Sequence, residues 1–121
     1  MMNTILIAED NLVNRELLRE MLESRDYQVV EAHDGKEALA KIEEIQPALI
    51  LLDINMPVLD GFAVLEHIRG NPKFSQIPVV AVTAYAMKED TERVLAAGFN
   101  GYIAKPIDSG LLFREIQRFI S

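Results

Sequence analysis

Cysteine is absent from the 121 residues. Disulfides, thiolate nucleophiles and cysteine-ligated zinc or iron–sulfur sites are therefore excluded. Imidazole is scarce: the two histidines, His33 and His67, lie far apart in unlike contexts, which argues against a zinc site. Both are expected at the surface, and neither has the surroundings of a phosphodonor. Basic side chains are outnumbered, 12 against 19 acidic ones, leaving a formal charge of −7. Such a surface repels phosphate backbones, so direct nucleic-acid binding is not expected. No apolar run approaches the ~18–20 residues of a membrane span. The start of the chain, Met1 to Thr4, lacks the basic-then-apolar pattern of a signal peptide. No low-complexity stretch or linker interrupts the chain. A soluble, cytoplasmic protein without membrane association is expected.

What is present suits one packed domain over residues 1–121, because half of the side chains are hydrophobic and 26% are charged. Short apolar runs alternate with amphipathic stretches. Ile5 to Ala8 reads as a buried strand ending at Glu9-Asp10, and Asn11 can cap a following helix with Leu17, Leu18, Met21 and Leu22 on one side. Gln28 to Glu31 is a second strand, Asp34-Gly35 a turn, and Ala38, Leu39 and Ile42 the next helix face. Ala48 to Leu52 is an apolar strand ending at Asp53. After the loop from Asn55 to Gly61, a helix turns Phe62, Leu65 and Ile68 inward and closes near Gly70-Asn71-Pro72. Val79 to Val82 leads to Thr83. Val94 and Leu95 belong to a fourth helix stopped by Gly98. Tyr102 to Ala104 is a short strand before Lys105-Pro106, and the last helix carries Leu112, Ile116 and Phe119 inward.

Five strand–helix units in strict alternation predict an α/β domain with helices on both faces of a parallel sheet. The expected arrangement is the flavodoxin-like doubly wound (βα)5 fold with strand order 2-1-3-4-5. In such sheets ligands bind beyond the carboxyl ends of the strands, where the strand order reverses. Glu9, Asp10 and Asp53, the Thr83 hydroxyl and the Lys105 ammonium would converge there from four segments. Two carboxylates 4 Å apart repel by roughly 4 kcal/mol at an effective dielectric of 20, and a bound divalent cation offsets that repulsion. Oxygen ligands in small number favour Mg²⁺, with Mn²⁺ an acceptable substitute. Asp53 reads as a metal ligand, a loop-capping aspartate or a nucleophile toward phosphorus. In the last case a metal and Lys105 would offset phosphoryl charge and Thr83 would donate a hydrogen bond.

The residues resemble the receiver domain of two-component response regulators. The resemblance covers essentially the whole chain and rests on several motifs in order: Glu9-Asp10-Asn11, Leu51-Leu52-Asp53-Ile54-Asn55-Met56-Pro57, Asp60-Gly61, Val82-Thr83-Ala84, Ala97-Gly98, Tyr102 and Lys105-Pro106. It implies that Asp53 accepts a phosphoryl group from a phosphohistidine on a histidine kinase or histidine phosphotransfer protein. It further implies that Asp10 binds Mg²⁺ directly, Glu9 binds it through water, and Asn55 lends it a backbone carbonyl. Thr83 and Lys105 match the hydroxyl and lysine that grip the phosphoryl group, and the Lys105-Pro106 bond is expected to be cis. By the same likeness, phosphorylation draws Thr83 toward the phosphoryl oxygens, Tyr102 turns from an exposed to an inward rotamer into the space Thr83 vacates, and the face of helix 4, strand 5 and helix 5 changes its affinity for a downstream protein. Asn55 and Tyr85 are expected to set the rate at which the phosphoryl group is hydrolysed.

Residues Val82 to Asp90 look like both stand-alone DivK-type regulators and receiver modules of hybrid histidine kinases, and the two stay open at this point. The expected protein is a signalling receiver, monomeric or weakly dimeric, which does not turn over external substrates. A phosphatase is disfavoured because no second acid–base group is placed for a leaving group. A flavin-binding domain is disfavoured by acidic strand ends and the lack of a Gly/Ser/Thr-rich phosphate loop. A receiver-like module that is never phosphorylated is disfavoured by the set of Asp53, Thr83 and Lys105.

Overall fold

Strands that bury both faces must be apolar at every position, and the two most uniformly apolar runs of the chain take the centre of its sheet. The computed structural model describes residues 3–84 and 87–120. Among these are five strands, β1 Thr4–Ala8, β2 Gln28–Ala32, β3 Leu49–Asp53, β4 Val79–Thr83 and β5 Gly101–Ala104. They alternate with five helices, α1 Leu12–Glu23, α2 Gly35–Ile45, α3 Gly61–Arg69, α4 Lys88–Ala97 and α5 Ser109–Gln117. The strands form one parallel sheet in the order β2-β1-β3-β4-β5, as the alternation predicts.

Side chains alternate across the sheet with a period of two, which divides the core in two. Leu6, Ile50, Leu52 and Ala81 pack with Ala38 and Ile42 of α2, Val64, Leu65 and Ile68 of α3, and Val94 of α4. Ile5, Ile7, Leu49, Leu51, Val80 and Val82 point the other way, toward Leu18 and Leu22 of α1 and Leu112, Phe113 and Ile116 of α5. One leucine expected on an inward face is exposed. Leu18 and Leu22 lie four residues apart and face the sheet, which turns Leu17 outward at 40% exposure. Val94 takes the inward position of α4 and leaves Leu95 exposed at 48%. Phe62 is half-buried, edge-on to Phe99 with ring centroids 5.7 Å apart.

The helix starts follow from local chemistry. Asn11, Asp34, Asp60 and Asp108 each accept a hydrogen bond from the backbone N–H three residues on, at the heads of α1, α2, α3 and α5. Asp34-Gly35, expected as a turn, is therefore a helix start. At the other end of α4, Gly98 adopts the left-handed conformation expected of it, with φ 112°. No helix among the described residues is long and apolar enough to cross a membrane.

Candidate functional site

All five strands run the same way, so their carboxyl ends share one edge of the sheet. Glu9 directly follows β1. Its N–H donates to the Ala32 carbonyl at 3.0 Å, which extends the pairing with β2 and holds the residue in the sheet, 1% exposed. Asp10 steps out into solvent. The Asn11 N–H donates to Glu9 Oε2 at 3.3 Å. Asp53 ends β3 and is 3% exposed.

The loop after Asp53 folds back tightly on it. The Asn55 N–H donates to Asp53 Oδ1 at 3.0 Å, and the Gly61 N–H donates to the Ile54 carbonyl at 2.9 Å. A side chain at position 61 would bring its Cβ within 2.8 Å of the Asp53 carbonyl oxygen, so this approach requires glycine. Lys105 follows β5, its N–H bonded to the Thr83 carbonyl at 2.8 Å, and the Lys105–Pro106 peptide is cis. Its Nζ donates to Asp53 Oδ2 at 3.2 Å and lies 2.8 Å from Glu9 Oε1. The ammonium of Lys105 is thus the partner that the buried Glu9 Oε1 has among the described residues, shared with Asp53.

Charge is unbalanced here. Glu9, Asp10 and Asp53 offer oxygens that all lie within 4.8 Å of one another, and Lys105 is the cation in contact with two of them. Burial raises the Glu9 carboxyl above its ordinary range, and the neighbouring Asp53 raises it further; Lys105 offsets only part of this. Burial alone would lower the Lys105 ammonium, but the Glu9 and Asp53 carboxylates outweigh it and hold it above the ordinary lysine value. An all-oxygen donor set of three carboxylates against one ammonium, partly open to solvent, fits a hard divalent cation such as Mg²⁺.

Thr83 ends β4 next to this edge, 2% exposed, and lines a hollow of about 200 Å³ together with Asn55, Asp60, Phe62, Asp90 and Arg93. Tyr102 is not part of the acidic cluster. It points outward from β5, 38% exposed, into a groove of about 450 Å³ whose walls include Leu95 of α4 and Leu111 of α5. Tyr85 lies outside the described residues. His33 and His67 are both exposed, as expected. Sequence reasoning does not reach Arg15, whose guanidinium donates to the carbonyls of Glu9 and Asp10 at 3.0 and 3.3 Å. Its one signal is a spacing of four residues from the cap Asn11, one helical turn.

Comparison with known proteins adds to this geometry. Residues 5–117 match the family described as response regulator receiver domain. The chain is 37% identical over 120 residues to the polar-differentiation response regulator DivK of Brucella anthropi, covering 99% of this chain and 98% of that one. Among solved structures it resembles the receiver domain of sensor histidine kinase PA1611 from Pseudomonas aeruginosa, with 38% identity, a TM-score of 0.91 and coverage of 99% and 98%. That structure has a magnesium ion coordinated in its active site cleft. The chemotaxis protein CheY4 of Vibrio cholerae is similar at 29% identity, a TM-score of 0.92 and coverage of 99% and 100%.

Proposed function

The chain belongs to the response regulator receiver family of two-component signalling, and on that premise we propose that it is a phosphoacceptor switch with Asp53 as the accepting residue. One observation carries the reading: a buried aspartate at a strand end has Lys105 on one carboxylate oxygen, the Asn55 N–H on the other, and two further carboxylates beside it. An Asp53 oxygen attacks the phosphorus of a phosphohistidine on a histidine kinase or phosphotransfer protein. The new P–O bond replaces the P–N bond, and the imidazole leaves with its electron pair and takes up a proton.

Lys105 passes from its carboxylate partners to a phosphoryl oxygen, and the Thr83 hydroxyl donates to another. Asp10, Asp53 and the Asn55 carbonyl would hold Mg²⁺, or Mn²⁺ in its place, with Glu9 acting through water. When bound, the ion supplies positive charge against the phosphoryl oxygens.

The phosphoryl group adds negative charge and acceptor oxygens beside Thr83. Movement of Thr83 toward them frees space for Tyr102 to turn inward, which shifts the population of the face formed by α4, β5 and α5. The groove between α4 and α5, with Tyr102 on its wall, is the surface a downstream protein would read in the cytoplasm. Hydrolysis of the acyl phosphate returns Asp53 to its resting state, so the chain acts on its own phosphoryl group and not on external substrates.

Intact mass after incubation with Mg²⁺ and acetyl phosphate tests the reading. The wild type should gain one phosphoryl group, and Asp53→Asn and the chelated wild type none. Absence of an adduct in the wild type, with a phosphohistidine donor and a rapid quench as well, overturns it in favour of an interaction module that is never phosphorylated.

A further inference from the structure

Asp10 is the exposed member of the acidic cluster, and the bonds that reach it go to its backbone. Among the described residues no hydrogen bond is made to its carboxylate, while its carbonyl accepts from Arg15 Nη1 at 3.3 Å. The same nitrogen donates to the Glu9 carbonyl at 3.0 Å. Two successive peptide planes, on either side of the Asp10 Cα, are thus held by one side chain, and the direction of a Cα–Cβ bond follows from the peptide planes flanking it.

Arg15 is itself held firmly. It stands one turn into α1, and its N–H closes the first turn on the Asn11 carbonyl at 3.0 Å. Its side chain is 17% exposed, and its Nε lies 3.7 Å from Glu31 Oε1 on β2. Arg19 takes the other oxygen of Glu31 at 3.1 Å and also donates to the Val29 carbonyl. The guanidinium therefore ties the loop after β1 to α1 and β2 together.

From this geometry we infer that Arg15 is a positioning residue for a divalent cation: it aims the Asp10 carboxylate by fixing the backbone on both sides of it. The inference rests on the reading of Glu9, Asp10 and Asp53 as a cation site. It opposes simple electrostatics, since a positive charge at Arg15 by itself repels a cation and its removal would tighten binding. The two effects have opposite signs, and the geometric one wins because a partner that orients a metal ligand is typically worth 10–100-fold in affinity.

Calorimetric titration of Mg²⁺ at fixed ionic strength decides between them. Arg15→Met, which loses both charge and donors, should bind Mg²⁺ at least about tenfold more weakly than wild type. Arg15→Lys, which keeps the charge but not the planar donor group, should also bind more weakly. Amide NMR shifts in the metal-free proteins should change at Asp10 and Asn11 while those of β3 and β4 stay in place. Unchanged affinity in both variants, or tighter binding in Arg15→Met, overturns the inference. Should Arg15→Met fail to fold, Arg15→Lys alone carries the decision, with unchanged affinity the overturning result. A wild type that binds no Mg²⁺ overturns the cation-site reading and this inference with it, whereas a binding wild type with indifferent variants overturns this inference alone.

Discussion

At Glu9 the chain accepts a charge that its own fold disfavours. The residue is buried, faces Asp53, and receives only partial relief from Lys105, so its carboxyl titrates above the ordinary value of 4.5. The fold prefers the protonated form. The favourable contribution of this group to stability is complete below about 4.5 and is lost as the pH rises through the raised folded value. In the metal-free protein, ionisation of Glu9 therefore opposes folding. Glu9→Gln keeps the shape without the charge and should raise metal-free stability by about 1 kcal/mol, the usual scale of a stabilising substitution. Urea midpoints across pH check the sign: the advantage of Glu9→Gln should be largest near neutrality and shrink as the pH falls toward 4.5. An advantage that is constant with pH would show that packing, not charge, separates the two side chains.

Among the helices, α4 is held least. The other four have an Asn or Asp cap, whereas α4 begins after Met87 with no side-chain cap bond and buries Val94 alone. A helix so loosely held, beginning beside the strand end that carries Thr83, is the kind of element from which switching segments are drawn. Met87→Ser supplies the missing acceptor and should stabilise the protein by about 1 kcal/mol. Hydrogen exchange should slow for the backbone amides of Glu89 and Asp90, and the urea midpoint should rise. Unchanged exchange there would mean that something other than the cap limits the opening of this turn. The weakness of α4 also explains where the sequence was hardest to read. The central strands were plain because both of their faces are buried and every position is apolar. With one buried side chain, Val94, α4 carries almost no helical period, and the sequence marks this helix by little more than Val94, Leu95 and the Gly98 stop. The convergence of Glu9, Asp10, Asp53 and Lys105 could be foreseen because parallel strands end at a common edge. The bonds of Arg15 could not, since they run to backbone carbonyls whose direction no side-chain pattern encodes. The same holds for Val58, a β-branched residue at φ 71° in a γ-turn closed by the Leu59 N–H on the Pro57 carbonyl at 2.7 Å.

For the molecule as a whole, two apolar layers stabilise a sheet whose carboxyl edge gathers negative charge, on a chain of net charge −7. Two different effects of added salt follow from this. Any salt screens the general repulsion of an acidic surface. A divalent cation bound to the folded state adds a separate gain of RT ln(1 + [L]/Kd), about 2.7 kcal/mol when the free ion is at a hundred times its Kd. The unfolded chain lacks the convergence of Glu9, Asp10 and Asp53, so this second gain belongs to the fold. Thermal midpoints measured in Mg²⁺ and in NaCl of matched ionic strength separate the two. In the wild type the midpoint should keep rising with the logarithm of Mg²⁺ concentration after the NaCl effect is subtracted. Asp10→Asn removes one exposed carboxylate without disturbing the buried pair, so it should keep the NaCl response and lose most of the Mg²⁺ response. Equal Mg²⁺ responses in the two proteins would place the stabilising ion elsewhere on the acidic surface, and the carboxylates at the strand ends would then be a charge cluster without a cation of their own.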